Sequence, residues 1–220
     1  KNISFPQLFQ SFSYTELTLT QACSSFVETL ALPLPSAMRE GRSRMSGLCM
    51  IVFLMPLNCP NSAITLSRLS IVRTMLTKTL PVQLPIYDHA DELGVSASGY
   101  SLWGGSAGAR MAAVLGNAGF LRQLTGRKDI PQAAAVIMQY TGYNTVSQQD
   151  AATYACVGTN DGIASWRTMQ RRLQSLSALG IPTEFHAYDG LPHGFGLGTG
   201  TVAEGWIADA VRFWDAQIDN

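Results

Sequence analysis

From residue 88 onward the chain is predicted to be an α/β protein, a mostly parallel sheet flanked by helices, preceded by an atypical or incomplete N-terminal segment. Three observations predict this. Apolar runs of strand length alternate with helical patterns and short turn signals, as expected of a parallel sheet covered by helices. Residues 165–179 carry a helical period, with Trp166, Met169, Leu173, Leu176 and Leu179 on one face and Arg167, Arg171 and Arg172 on the other. The composition also changes abruptly near residue 88.

Taken in order, residues 100–103 (YSLW) read as a strand running into Gly104 and Gly105, and residues 107–115 (AGARMAAVL) as the small-residue helix that leaves them. Residues 133–140 (AAAVIMQY) and 153–157 (TYACV) are further strands, the second closed by Gly-Thr-Asn-Asp at 158–161. The helix at 165–179 ends where Gly180 can cap it and Pro182 blocks continuation. Residues 183–188 (TEFHAY) alternate as a strand, residues 190–200 form a Gly-rich loop, and residues 202–217 are the last amphipathic helix. Four strands with intervening helices make an open half-sheet.

Residues 1–87 resist such a reading. They contain seven basic residues against three acids and no Asp, a net charge of +4, and only Gly41 and Gly47 of the 20 glycines. Residues 88–220 carry eight bases against twelve acids, a net of −4, and all 4 tryptophans. A segment so poor in Asp and Gly is short of the usual turn and helix-capping residues. A strand at 48–55 and a helix at 63–79 are the elements expected there, with seven of the 10 prolines interrupting the rest. The domain division is therefore 1–87, an atypical segment, and 88–220, the readable half. The simultaneous onset of Asp, Gly and Trp points to a segment translated in another reading frame or misassembled. Translating the other two frames of the nucleotide sequence tests that reading.

Formal net charge is zero over 220 residues, so the chain offers no field to gather nucleic acid or an anionic surface. Apolar residues at 46% and charged residues at 14% exclude a disordered chain. The cysteines Cys23, Cys49, Cys59 and Cys156 show no metal-binding or disulfide spacing, and reduced thiols are expected. The most apolar run, residues 48–55, is too short to cross a bilayer. The chain opens at Lys1 without a signal-peptide pattern, so a soluble, cytoplasmic protein is the default expectation.

The chemistry centres on Gly104-Gly105-Ser106-Ala107-Gly108, a G-x-S-x-G motif between an expected strand and an expected helix. In that context small neighbours let the backbone turn sharply and present the serine hydroxyl above the sheet edge. The helix N-terminus behind Ser106 aims backbone N–H groups, that of Ala107 first, at a developing oxyanion. Phosphate-binding readings fail at single positions. Gly105 stands where a Walker A loop needs Lys, and Ser106 where a dinucleotide-binding loop needs Gly.

A serine hydroxyl needs a base to take its proton and an acid to hold that base. Asp161 follows the strand at 153–157, and His193 follows the strand at 183–188. Loops past the carboxyl ends of parallel strands open on one edge of the sheet, so residues 55 and 32 positions apart can converge. Taken singly, Asp161 reads as a turn or N-cap residue ahead of a catalytic one, and His193 is open to reading as a simple surface residue. His186 and His89 read as structural, and Trp206 and Trp214 as the core face of the last helix. The ordered set of Ser, Asp and His, each at a strand end, favours catalysis.

Residues 89–113 (HADELGVSASGYSLWGGSAGARMAA), 157–165 (VGTNDGIAS) and 184–201 (EFHAYDGLPHGFGLGTGT) resemble the C-terminal half of α/β-hydrolase-fold esterases of the bacterial esterase/lipase type. The resemblance covers about residues 88–220. It implies Ser106 as nucleophile, Asp161 as acid, His193 as base, and hydrolysis of short acyl or acetyl esters, acetylated sugars included, without a cofactor. Its expected partner is a small-molecule ester. Such enzymes also carry an upstream His-Gly-Gly loop that donates oxyanion N–H groups. Residues 1–87 contain no His and no adjacent glycines. Loss of one such donor costs about 3 kcal/mol of transition-state stabilisation. A serine peptidase or thioesterase of the same fold, and an impaired or inactive hydrolase fragment, are the alternative readings.

Overall fold

The computed structural model describes residues 50–53, 87–88, 90–93 and 96–218. They comprise β1 (Met50–Phe53), α1 (Ala90–Leu93), β2 (Ser101–Gly105), α2 (Ala107–Leu115), α3 (Ala118–Thr125), β3 (Ala135–Gln139), β4 (Ala152–Gly158), α4 (Trp166–Ala178), β5 (Thr183–Tyr188) and α5 (Trp206–Asp215). The sheet order is β1-β2-β3-β4-β5. Strands β2 to β5 are parallel, and β1 lies antiparallel to β2, with Met50 opposite Gly104 and Phe53 opposite Ser101.

The central strands are mostly apolar because helices cover both faces, with Ser101, Gln139 and Thr153 as buried polar residues among them. Every residue of β3 is buried. Side chains alternate between two core layers, as the two-residue period of a strand requires. Leu102, Val136, Met138, Ala155 and Val157 pack with Ala109 and Ala112 of α2 and Met169 and Leu173 of α4. Trp103, Ala135, Ile137, Tyr154 and Cys156 pack with Trp206, Ala210, Phe213 and Trp214 of α5. This places α2 and α4 on one face and α5 on the other. The indole Nε1 of Trp214 donates to the Gly99 carbonyl at 2.8 Å, tying α5 to the entry of β2.

The observed sheet has five strands, the four expected after residue 88 and β1, which adds an antiparallel strand at the β2 edge. It falls within the expected strand at 48–55; the expected helix at 63–79 lies outside the described residues, as do His89 and Cys23, Cys49 and Cys59. Helix α3 was not expected: residues 118–125 are too short for a clear apolar period. Its boundaries carry the signal instead, since the Asn117 side chain accepts the Phe120 N–H at 2.9 Å and Gly126 closes the helix with φ of 69°. The last helix starts at Trp206 rather than 202, because Gly205 holds a left-handed φ of 91°.

Helix α4 corrects the reading of its faces. Arg172, expected on the solvent face, is buried, with its side chain 1% exposed, while Leu179 lies just past the helix and is 40% exposed. The Arg172 guanidinium reaches the buried Asp150 carboxylate at 3.2 Å, donates to the Thr145 carbonyl at 3.0 Å, and lies over the Tyr143 ring. Burial draws its pKa down, and Asp150 opposes the shift. Asp150 also accepts the Asn117 side-chain amide at 2.6 Å and the Ser147 N–H at 3.2 Å. A buried ion pair of this kind persists only where additional hydrogen bonds satisfy both partners, and here they fasten α4 to the segment that leaves β3.

Candidate active site

Ser106 sits between β2 and α2 with φ of 55° and ψ of −118°, a conformation that a residue with a side chain rarely holds. Its neighbours make that turn possible. A Cβ on Gly104 would lie 2.3 Å from the carbonyl carbon and oxygen of Gly108, so only glycine lets β2 and α2 approach this closely. Gly108 is itself buried. A Cβ on Gly105 would lie 2.9 Å from the Tyr140 hydroxyl. The Ser106 N–H donates to the Gln139 carbonyl at 3.0 Å, extending the β2–β3 pairing into the turn. Ala107 opens α2, where the first N–H groups of a helix have no intrahelical acceptor. Its N–H has no acceptor among the described residues.

Asp161 and His193 come to the same edge from the loops after β4 and β5. The Asp161 side chain is fully buried and divides its oxygens. Oδ1 accepts the N–H groups of Ile163 and Ala164 at 2.8 and 2.7 Å, and Oδ2 faces His193 Nδ1 at 2.8 Å. Asp161 therefore closes a turn, but it does not cap α4, whose N-cap position is Ser165. His193 Nε2 lies 3.0 Å from Ser106 Oγ. A carboxylate oxygen can only accept, so the proton of a neutral imidazole belongs on Nδ1, and the Nε2 lone pair accepts the serine hydroxyl. The structure thus brings Ser106, Asp161 and His193 into one line of hydrogen bonds across 87 residues of sequence.

The two loops are also joined to each other. Thr159 Oγ1 donates to Asp189 at 2.9 Å and accepts the Gly190 N–H at 2.8 Å, and the Asn160 N–H donates to the Leu191 carbonyl at 3.1 Å. Further along, the Gly196 carbonyl accepts from Gln139 Nε2 at 2.9 Å and Trp206 Nε1 at 3.0 Å. Trp206, expected as a core residue, is buried and also anchors the loop that carries His193.

Sequence reasoning passed over Gln139, Tyr140 and Phe195. The ring of Tyr140 meets His193 edge-on with centroids 4.8 Å apart, and Phe195 at 5.1 Å. The available signal was position, because Gln139 ends, and Tyr140 directly follows, a strand adjacent to the motif-bearing one. His186, expected to be structural, pairs with Glu184 on its own strand at 2.6 Å and lies against the Tyr154 ring. Among the described residues no group of three or more His, Cys, Asp or Glu side chains could hold a metal ion, and no helix is long and apolar enough to cross a membrane.

No protein-family model matches the chain, and no curated protein matches it. Solved structures do. An α/β hydrolase from a Medee basin deep-sea metagenome library superposes with a TM-score of 0.53 at 19% identity, covering 69% of each chain. The carboxylesterase of Lactobacillus plantarum superposes with a TM-score of 0.52 at 18% identity, covering 60% of this chain and 63% of its own. A truncated carbohydrate esterase from gut microbiota gives 0.54 at 12% identity, covering 69% of this chain and 74% of its own. The strand order, the two helical layers and these superpositions agree that the chain has the α/β-hydrolase fold.

Proposed function

We propose that the chain is a serine-dependent carboxylic ester hydrolase acting through an acyl-enzyme. The observation that carries the proposal is the alignment of Ser106 Oγ, His193 Nε2, His193 Nδ1 and Asp161 Oδ2 at 3.0 and 2.8 Å at the carboxyl edge of the sheet. In this reading His193 takes the Ser106 proton as the hydroxyl attacks the ester carbonyl. Asp161 holds the imidazole in the productive tautomer and stabilises its charged form. The Ala107 N–H donates to the oxyanion, and His193 returns the proton to the leaving alcohol. Water activated by the same histidine then releases the acid. No metal or cofactor takes part in these steps.

The substrate class is short-chain acyl or acetyl esters, acetylated sugars included. Support comes from the esterase motifs of residues 157–165 and 184–201 and from superposition on a carboxylesterase and a carbohydrate esterase. Replacing Ser106 by Ala is expected to lower kcat on p-nitrophenyl acetate by at least about 10³-fold, in line with removal of a triad nucleophile. Full activity in Ser106→Ala would sink the assignment. A fluorophosphonate probe should label the parent at Ser106. Silence there would favour the second reading, a catalytically impaired hydrolase, which the absence of any His or paired glycines in residues 1–87 supports.

A further inference from the structure

We infer that Tyr140 is a positioning residue that keeps the His193 imidazole in line between Ser106 and Asp161, an inference that rests on the serine-hydrolase reading above. Two hydrogen bonds, at Nδ1 and Nε2, fix an axis through the imidazole but leave the ring free to tilt about it. A third contact off that axis is needed to stop the tilt. Tyr140 supplies it, with ring planes 63° apart at a centroid separation of 4.8 Å. The ring is itself braced by Phe195 at 5.1 Å, and Phe195 by Tyr188 at 5.8 Å.

The backbone of Tyr140 is bent to deliver this contact. Its φ of 34° is left-handed, a region that side chains disfavour, and beside Ser106 it is the other non-glycine residue with positive φ among those described. Strained backbone of this kind survives where the surroundings over-determine it, and it gathers at functional sites. Here the Tyr140 N–H donates to the Cys156 carbonyl at 2.9 Å, and the preceding carbonyl, of Gln139, accepts the Ser106 N–H at 3.0 Å. The same short stretch of chain therefore holds both the nucleophile turn and the ring that steadies the base.

The hydroxyl lies against Gly105, in the space that a Cβ there would need. Burial pushes its pKa up to about 12, so it stays neutral wherever an esterase works. A neutral phenol acts here by shape and ring contact with the imidazole rather than by proton transfer. Gly105, the variable position of the serine motif, is thereby restricted to glycine by Tyr140 rather than by the turn itself.

Tyr140→Phe keeps the ring and should retain kcat within about threefold, whereas Tyr140→Leu removes it and should lower kcat by roughly 10- to 100-fold with KM little changed, as for a small misplacement of a catalytic group. The ring resonances of His193, assigned by their loss in His193→Ala, should stay in place in Tyr140→Phe and move in Tyr140→Leu. That spectrum reads the positioning even without turnover, so a parent inactive toward esters would count against the hydrolase reading alone. Should Tyr140→Leu fail to fold, Gly105→Ala gives the second test. Its added methyl meets the Tyr140 hydroxyl at 2.9 Å, so kcat should fall roughly tenfold and recover in part when combined with Tyr140→Phe. Unchanged His193 resonances in a folded Tyr140→Leu, a loss confined to KM, or additive effects of Gly105→Ala and Tyr140→Phe would overturn the inference.

Discussion

At Asp161 the two carboxylate oxygens have separate tasks, and the separation makes a single-residue prediction sharp. Oδ1 is occupied by the Ile163 and Ala164 N–H groups, and Oδ2 alone meets His193. In Asp161→Asn the amide carbonyl would stay with the two backbone donors, leaving the NH₂ group to face Nδ1. Nδ1 must then accept, the imidazole proton moves to Nε2, and the base can no longer take the Ser106 proton. The expected loss is about 10⁴-fold in kcat, with KM and thermal stability close to the parent. Steady-state kinetics with a melting curve checks it. Loss of folding in step with activity would show that the Asp161 turn, rather than the tautomer, is what matters.

At the scale of elements, the site depends on how closely β2 and α2 cross. A methyl at Gly104 meets backbone atoms of Gly108 at 2.3 Å, and backbone cannot rotate away as a flexible side chain can. Gly104→Ala should therefore displace α2, losing probe labelling at Ser106 and destabilising the fold by about 1–3 kcal/mol, the range for overpacking. Urea unfolding alongside fluorophosphonate labelling measures both, and a labelled variant of parental stability would refute it. The strands, α2, α4 and the convergence of Ser106, Asp161 and His193 were legible because each carries a local signal: an apolar run, a G-x-S-x-G turn, or a polar residue just past a strand. Arg172 was not, because its burial depends on Asp150, Thr145 and Tyr143, which the helical period of α4 cannot register. Tyr140 was missed for the same reason: its role comes from a left-handed backbone and two rings distant in sequence.

For the whole molecule, the distribution of buried phenols sets a limit at high pH. Tyr100 lies in the layer beneath α2 and α4, and Tyr154 in the layer beneath α5, so both faces of the sheet depend on tyrosines remaining neutral. Burial pushes Tyr100 and Tyr140 up to about 12 from an ordinary value of 10.0, and raises Tyr154 and Tyr188 as well. The Cys156 thiol, buried between the same strands, is raised by the same cause. In the unfolded chain these groups ionise at their ordinary values. Between about pH 10 and 12 the folded state thus binds more protons than the unfolded state, and stability must fall as pH rises. The contribution is complete below the unfolded pKa and is lost as pH climbs through the folded one. Tyrosinate absorbance and near-ultraviolet circular dichroism recorded together from pH 8 to 13 should therefore share a cooperative step above about pH 10, in which the buried phenols ionise as the dichroism is lost. Gradual tyrosine ionisation centred near 10, with near-ultraviolet dichroism intact, would mean that water reaches these rings in the folded protein and that the two layers are less closed than their packing indicates.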